Sequence, residues 1–515
     1  MADHNISFSA HQEFNHPFKK LPVTKINARD RAFVFNREMG RSLVDAACRT
    51  VVDIDKNASA AIVITPEQRM TLTVLVAIFV TALLVAFPAA IVVVVVTCSL
   101  FFLLNCLFKL CLIGQRQHPE NDCVGAAPHL VAPLPTITIL VPLYKEAETL
   151  PSITSALGAI DYPQDKLDIK FVFEEDDQAS IELAKRIIQN DQIEIIVTPT
   201  NTPKTKPKAC NYALFQARGD ITVIYDAEDI PDPKQLLKAA AAFQKGGEKC
   251  ACVQARLNYY NSNENWLTRL FSLEYYLWFG FFLPGLQAMK APIPLGGTSN
   301  FIRTDVLRKL GAWDAFNVTE DADLGLRLAR AGYHTQVIDS ETLEEATCTM
   351  HAWIKQRTRW IKGHLQTWLV HLRMEKSPQE EQTLGARMAV HLFLAGNFFS
   401  AFLSLPLWLI FGLVYCNALE IAGLTKNGSL NQLSIFVFIF GYGASVFMTL
   451  VAGIANRRFD LLPAVFATPV YWLLNSIAAY CAVYELIRKP FYWSKTRHVQ
   501  SKMAVMRHAS LSRVA

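Results

Sequence analysis

Two short stretches concentrate side chains suited to chemistry: Asn317-Val-Thr-Glu-Asp-Ala-Asp323 and Gln356-Arg-Thr-Arg-Trp360. The first sets Glu320 and Asp321 at what reads as a helix start. The second crowds an amide, two guanidiniums and an indole into five positions. Such groups bury poorly without partners, so their company points to a site rather than a packed core. They lie too far apart in the chain to meet on one helix, and only a tertiary fold brings them together. Upstream, Asp226-Ala-Glu228 has the spacing of two carboxylates that grip one Mg²⁺ or Mn²⁺, ions that take oxygen ligands and share them with phosphates. A bound ion would neutralise a leaving diphosphate. Acidic turns of this appearance are common, so the spacing by itself decides nothing.

The elements that must position these groups read as alternating strands and helices. Strands are predicted at Thr136–Leu143, Asp168–Phe173, Ile193–Thr198, Ile221–Tyr225 and Ala251–Leu257, with helical periodicity at Ala179–Gln189, Ala209–Ala217 and Pro233–Gln244. The repetition argues for an α/β domain built on a mainly parallel sheet. Ligands of such sheets sit outside the carboxyl ends of the strands. Three predicted strand ends are polar there: Tyr144-Lys-Glu146, Glu174-Glu-Asp-Asp177 and Asp226-Ala-Glu-Asp229. Clustered carboxylates repel unless a cation or hydrogen-bond donors meet them.

The apolar residues, 51% of the chain, concentrate in 71–113 and 388–487. Thr71–Ile113 carries a single charge, Lys109, and breaks at Phe87-Pro88; it predicts two membrane spans joined by a tight turn. Met388–Tyr415 and Leu433–Ile454 each suit one further span. Leu461–Ile487 reads better as an interfacial or re-entrant helix, because a crossing would put the basic tail outside, against the charge rule. Glu264–Leu286 is rich in aromatics and suits either a helix at the membrane surface or a buried helix of the soluble domain. The expected order is a cytosolic arm (1–69), two transmembrane helices (70–113), a linker (114–135), the catalytic domain (136–376), transmembrane and interfacial helices (386–487) and a basic cytosolic tail (488–515). Within the arm, a helix is predicted through Arg37–Asp53. The polar first seventy residues suggest no cleavable signal peptide. The 11 scattered cysteines, with no Cys-x-x-Cys pair, suggest reduced thiols rather than a zinc site or disulfide framework. A scattered net charge of +5 gives no case for nucleic acid as a partner.

Taken in order, these motifs resemble the membrane-embedded, inverting family 2 glycosyltransferases, which include cellulose, hyaluronan, chitin and curdlan synthases. The resemblance covers about residues 136–375 and implies a GT-A-like domain flanked by transmembrane helices. It implies that Tyr144 and Glu146 hold the nucleotide base, that Asp176 or Asp177 contacts uracil, and that Lys208-Ala-Cys-Asn211 lies on the nucleotide side. Asp226 and Glu228 would be the metal ligands, with Glu in place of the usual second Asp. Gly296-Gly-Thr298-Ser299-Asn300 is similar to the acceptor-side loop. Asp321, with Glu320 beside it, would be the general base that an inverting transfer requires, although a plain helix cap would look similar. Gln356, Arg359 and Trp360 would meet the substrates, Arg on diphosphate oxygens and the indole on a sugar face. Tyr492-Trp-Ser-Lys-Thr-Arg-His498 is loosely similar to gating loops that close on the nucleotide.

The expectation is therefore a hexosyl transfer from a UDP-sugar, with UDP-glucose favoured by the resemblance, to a growing β-linked glycan. The setting would be the inner plasma membrane, multi-pass, with the catalytic domain cytosolic and an export partner or oligomer completing so few spans. Two rivals stay open: transfer of one sugar to a lipid acceptor, and a catalytically silent membrane scaffold.

Overall fold

The computed structural model describes residues 28–115, 133–188, 192–375, 377, 383–416 and 428–493. The strands are β1 (Ile137–Leu143), β2 (Leu167–Glu174), β3 (Ile193–Thr198), β4 (Ile221–Ile224), β5 (Ile230–Pro231), β6 (Cys250–Tyr259), β7 (Asn300–Arg303) and β8 (His334–Glu344). Three helices precede them: α1 (Ala28–Ile54), α2 (Pro66–Val85) and α3 (Phe87–Gly114). Among the strands run α4 (Leu150–Gly158), α5 (Gln178–Ile187), α6 (Lys206–Leu214), α7 (Gln235–Gly246), α8 (Trp266–Leu277) and α9 (Leu283–Ala288). Then come α10 (Thr304–Lys309), α11 (Glu320–Arg330), α12 (Met350–Arg373), α13 (Leu384–Tyr415), α14 (Ser429–Ala455) and α15 (Thr468–Arg488).

All eight strands form one sheet in the order β3-β2-β1-β4-β7-β6-β8-β5. β3, β2, β1 and β4 are parallel, and β6 pairs parallel with β8. β7 is inserted antiparallel between β4 and β6, and β5 closes the far edge antiparallel to β8. The five predicted strands are all present, within two residues of their expected ends. β5, β7 and β8 were not anticipated: β5 is two residues long, and β7 and β8 follow loops whose polarity hides their period. Ile137, Ile139 and Val141 face one core with Leu150, Ile153 and Ile181, whereas Leu140 faces the other with Tyr212 and Phe271. This period-two division, buried on both sides, is the physics of a covered parallel sheet.

Five helices are long and apolar enough to cross a membrane: α2, α3, α13, α14 and the segment Leu462–Arg488 containing α15. α2 begins at a capping box between Thr65 and Gln68 with Pro66 in its first turn, and the chain reverses at Ala86 before Pro88 opens α3. α15 meets the domain helix α12 near both of its ends. Tyr471 contacts Arg357, and Glu485 pairs with Lys362 at 2.8 Å. The aromatic segment after residue 264 takes the second of its two expected forms, a largely buried helix of the domain. α8, a π-turn at Trp278–Phe282 and α9 form a buried layer between β6 and the long apolar helices α3 and α14.

The helix predicted in the amino-terminal arm is longer than expected and is docked on the domain. Asn211 Nδ2 donates to Ala47 O at 2.9 Å and to Trp313 O at 2.7 Å, while Arg373 donates to the carbonyls of Asn57, Ser59 and Ile62. Apart from residues 114–115 and 133–135, the expected linker lies outside the described residues, as does the tail beyond Trp493.

Candidate active site

The sheet delivers β1 and β4 side by side, so their carboxyl ends place Tyr144-Lys-Glu146 next to Asp226-Ala-Glu228. α11 brings Glu320 and Asp321 to the same mouth. A cavity of about 1100 Å³ is lined by Tyr144, Glu146, Asp226, Glu228, Thr298, Glu320, Asp321, Gln356, Arg359 and Trp360. Ten of the fourteen residues expected at the site thus converge from five segments of the chain.

Close backbone approach makes the convergence possible. A β-carbon on Gly297 would stand 3.4 Å from Asp321 Oδ2, and one on Gly363 would collide with the Thr319 side chain at 2.5 Å. α12 therefore lies directly on the turn that precedes Asp321. Three polar contacts hold it there: Asn317 Nδ2 to Thr367 Oγ1 (2.9 Å), Val318 N to Gln366 Oε1 (3.3 Å) and Asp323 Oδ1 to His371 Nε2 (3.0 Å). Farther along α12, Arg357 makes a two-pronged pair with Glu274 at 2.7 and 2.6 Å and donates to Tyr471 Oη at 3.0 Å. The same guanidinium lies 5.1 Å from the Trp360 ring centre, and Tyr275 and Phe271 pack on the other sides of that indole. The ring is a fixed platform.

The electrostatics are acidic. Asp226, Glu228, Asp229, Glu320, Asp321 and Glu344 gather around two cations, Lys206 and Arg359. Burial, then the charges of Asp226 and Glu146, push the Glu228 carboxyl well above the usual range. Burial and the neighbouring Asp321 raise Glu320 to about 7, and burial raises Asp321. Burial alone would depress the Lys206 ammonium, but Asp226 and Glu320 hold it above the ordinary lysine value. Among the described residues, buried atoms of this cavity's lining without a hydrogen-bond partner include Gln356 Oε1, Arg357 Nε, Arg359 Nε and Asn105 Oδ1, and Asp229 Oδ1 behind the lining has none either. Unmet polar atoms are costly in a finished core. Here they mark where a ligand's polar atoms fit.

Four expected residues lie elsewhere. Lys208 is fully buried and does not line the cavity, its ammonium spent on Glu174 at 2.7 Å. Asp177 is occupied by backbone, accepting from Lys145 N (2.5 Å) and Ser180 N (3.4 Å) as the cap of α5. Ser299, at φ 55°, shares a hydrogen bond with Thr342 behind the sheet. Asp176 sits at the rim, paired with Lys204 (2.5 Å) and Tyr144 Oη (3.2 Å), with Lys204 Nζ 4.2 Å from the Tyr144 ring centre. Sequence reasoning overlooked Lys206, Asp229, Glu344 and Tyr275. Asp229 stood in the acidic strand end and Lys206 in the run Lys204-x-Lys206-x-Lys208, but nothing in the spacing says which lysine turns inward.

With β1–β4 parallel, an antiparallel insertion and the acidic mouth at the strand ends, this is the GT-A type of sheet domain. Residues 135–363 match the family model described as "Glycosyltransferase like family 2". These residues are a family 2 glycosyltransferase domain, and the protein is a transferase. Among its relatives is "Probable glycosyltransferase YdaM" of Bacillus subtilis, 23% identical over 60% of this chain and 79% of that one. The "Beta-monoglucosyldiacylglycerol synthase" of Trichormus variabilis is 26% identical over 50% of this chain, but the match spans only 53% of that protein. The "Cellulose synthase 1 catalytic subunit [UDP-forming]" of Komagataeibacter xylinus is 27% identical over 54% of this chain and 37% of its own. Among solved structures, the mannosyltransferase PcManGT from Pyrobaculum calidifontis, in complex with GDP-Man and Mn²⁺, is 17% identical; the match covers 78% of this chain and 99% of that one, with a TM-score of 0.49.

Proposed function

We propose that this protein transfers a hexose from a UDP-sugar to a growing β-linked glycan at the membrane, with inversion at the anomeric carbon. One observation carries the reading: the cavity that holds Asp321 continues between α3, α13, α14 and α15, past Trp408, Trp472 and Tyr442 and past Ser404, Asn431 and Asn475. Aromatic faces interleaved with amides and hydroxyls suit a hydroxylated chain, although Val95, Leu407, Ile410, Val414 and Val437 on the same walls also suit a lipid acceptor, so product sizing decides between the two.

In this reading Asp321 Oδ accepts the proton of the acceptor hydroxyl as that oxygen bonds to the anomeric carbon. The bond from that carbon to the diphosphate breaks, and UDP departs. A carboxylate raised towards the working pH is a better proton acceptor than one in the ordinary range. Trp360 would carry the apolar face of a sugar ring, and Arg359 and Gln356 would meet diphosphate and hydroxyl oxygens. Tyr144, Glu146 and the Lys204–Asp176 pair border the nucleotide side. Asp226 and Glu228 would hold Mg²⁺ or Mn²⁺, while Asp229 braces their turn by accepting from Asp226 N and Thr298 Oγ1. Among the described residues no three His, Cys, Asp or Glu side chains are placed to hold an ion by themselves, so diphosphate oxygens and water would have to complete its shell. When bound, the ion supplies countercharge to the departing diphosphate. The basic flanks Arg69, Lys109, Arg457 and Arg458 support a cytosolic catalytic domain, with α15 lying along it at the membrane surface.

The test is UDP release from purified protein over a panel of UDP-sugars with Mg²⁺ or Mn²⁺, followed by sizing of the product. A polymer is expected. A single added residue on lipid would replace the polymer reading, and no release with any donor would leave the scaffold.

A further inference from the structure

Lys206 is the first residue of α6, its backbone set by Pro207, and its side chain is 9% exposed. It belongs to none of the pairings that hold the sheet together. Its ammonium reaches into the cavity, 2.5 Å from Asp226 Oδ1 and 2.7 Å from the Gly297 carbonyl. Those two acceptors belong to the metal-binding turn and the loop beneath Asp321. A cation is therefore already seated on one of the carboxylates assigned to the divalent ion.

We propose that Lys206 is an internal countercation that competes with the divalent ion at Asp226 and yields that carboxylate when a nucleoside diphosphate arrives. The inference rests on Asp226 and Glu228 being the metal ligands, and deepens that reading into an order of binding. The physical reason is charge. In the empty cavity the ammonium neutralises Asp226 and repels a second cation. A diphosphate offers oxygens that pair strongly with an ammonium. Lysine suits the exchange, because its point charge rides a flexible stem and keeps its strength as it changes partner. The consequence is a site that binds metal poorly alone and well with nucleotide, so that an unloaded enzyme does not collect ions.

The experiment titrates Mn²⁺ into the full-length protein in detergent, with and without UDP, following the free-ion electron paramagnetic resonance signal. In the native protein UDP tightens Mn²⁺ binding about 10-fold or more, within the usual range of site-to-site coupling. Lys206→Met binds Mn²⁺ without UDP about 10-fold tighter than the native protein and loses most of the UDP effect. Lys206→Arg, which keeps the charge, stays near the native values, and Lys206→Gln supplies a second neutral variant should the methionine not fold. Asp226→Asn abolishes binding in every case. Equal Mn²⁺ affinity of the native and neutral variants without UDP overturns the countercation, and the metal site stands. Absence of Mn²⁺ binding with and without UDP overturns both.

Discussion

The sheet buries acids at both of its ends, and the two groups are built oppositely. At the amino end of β2, Asp168 and Glu194 share Lys170 and Arg218: Lys170 Nζ lies 3.0 Å from Asp168 and 2.6 Å from Glu194, and Arg218 lies 2.6 and 3.0 Å from the same pair. Thr138 and the Arg218 amide satisfy the remaining oxygen of Asp168. Two carboxylates meet two cations, and although burial alone would raise Asp168, Lys170 and Arg218 hold it below its ordinary value. At the carboxyl ends, Lys204 and Arg357 are spent on Asp176 and Glu274, leaving Lys206 and Arg359 to meet a larger group of carboxylates, and Glu228, Asp229, Glu320, Asp321 and Glu344 are all pushed upwards. A saturated cluster is scaffold. A cation-poor one is held ready for ligands, because the missing charge must come from outside.

The comparison breaks or sharpens under four substitutions. Asp321→Asn should cost most, lowering UDP release by about 10²–10⁴-fold with UDP affinity retained, as expected of a lost proton acceptor. Retained turnover would move the base elsewhere. Lys170→Met should destabilise the fold by about 3–5 kcal/mol, since it strands buried carboxylates; a denaturation midpoint checks this, and the folded fraction should keep its kcat. A catalytic defect without a stability loss would erase the division between the two clusters. Trp360→Ala should raise the acceptor KM about 10-fold, about 1.4 kcal/mol, with UDP affinity unchanged. The smallest effect concerns pH. The base works only when ionised, so kcat/KM falls as pH drops through the raised value of Asp321. Lys206→Met removes a cation that holds Asp321 down and should move that acid limb to higher pH by about one unit or less.

Legibility followed the range of the forces. Ile137–Leu143 was readable because a parallel strand buried on both faces is nearly all apolar, and Ile193–Thr198 because its β-branched residues suit an edge strand despite Glu194. α2 and α3 were readable because a bilayer demands an uninterrupted apolar length. Lys208 shows the limit. Two lysines two positions apart on one short helix look alike in the chain, yet Lys208 turns into the core to meet Glu174 and Lys206 turns out to meet Asp226. Asp176 and Asp177 divide in the same way, one on the rim and one spent as a helix cap. Trp360 was singled out by its company, but the Arg357–Glu274–Tyr471 clamp that steadies it joins three distant segments and left no local trace.

By itself the amino-acid sequence determined the strand–helix alternation, the apolar spans and which residue types could grip an ion, accept a proton or carry a sugar face. Each of these depends on neighbours within a few positions, where propensity and periodicity act. Only the tertiary structure decided that Asp226, Asp321 and Trp360 share one cavity, that Lys206 sits on Asp226 and that the cavity runs on between the long apolar helices. Those outcomes are set by packing and by charge balance between segments that meet only once the chain has folded.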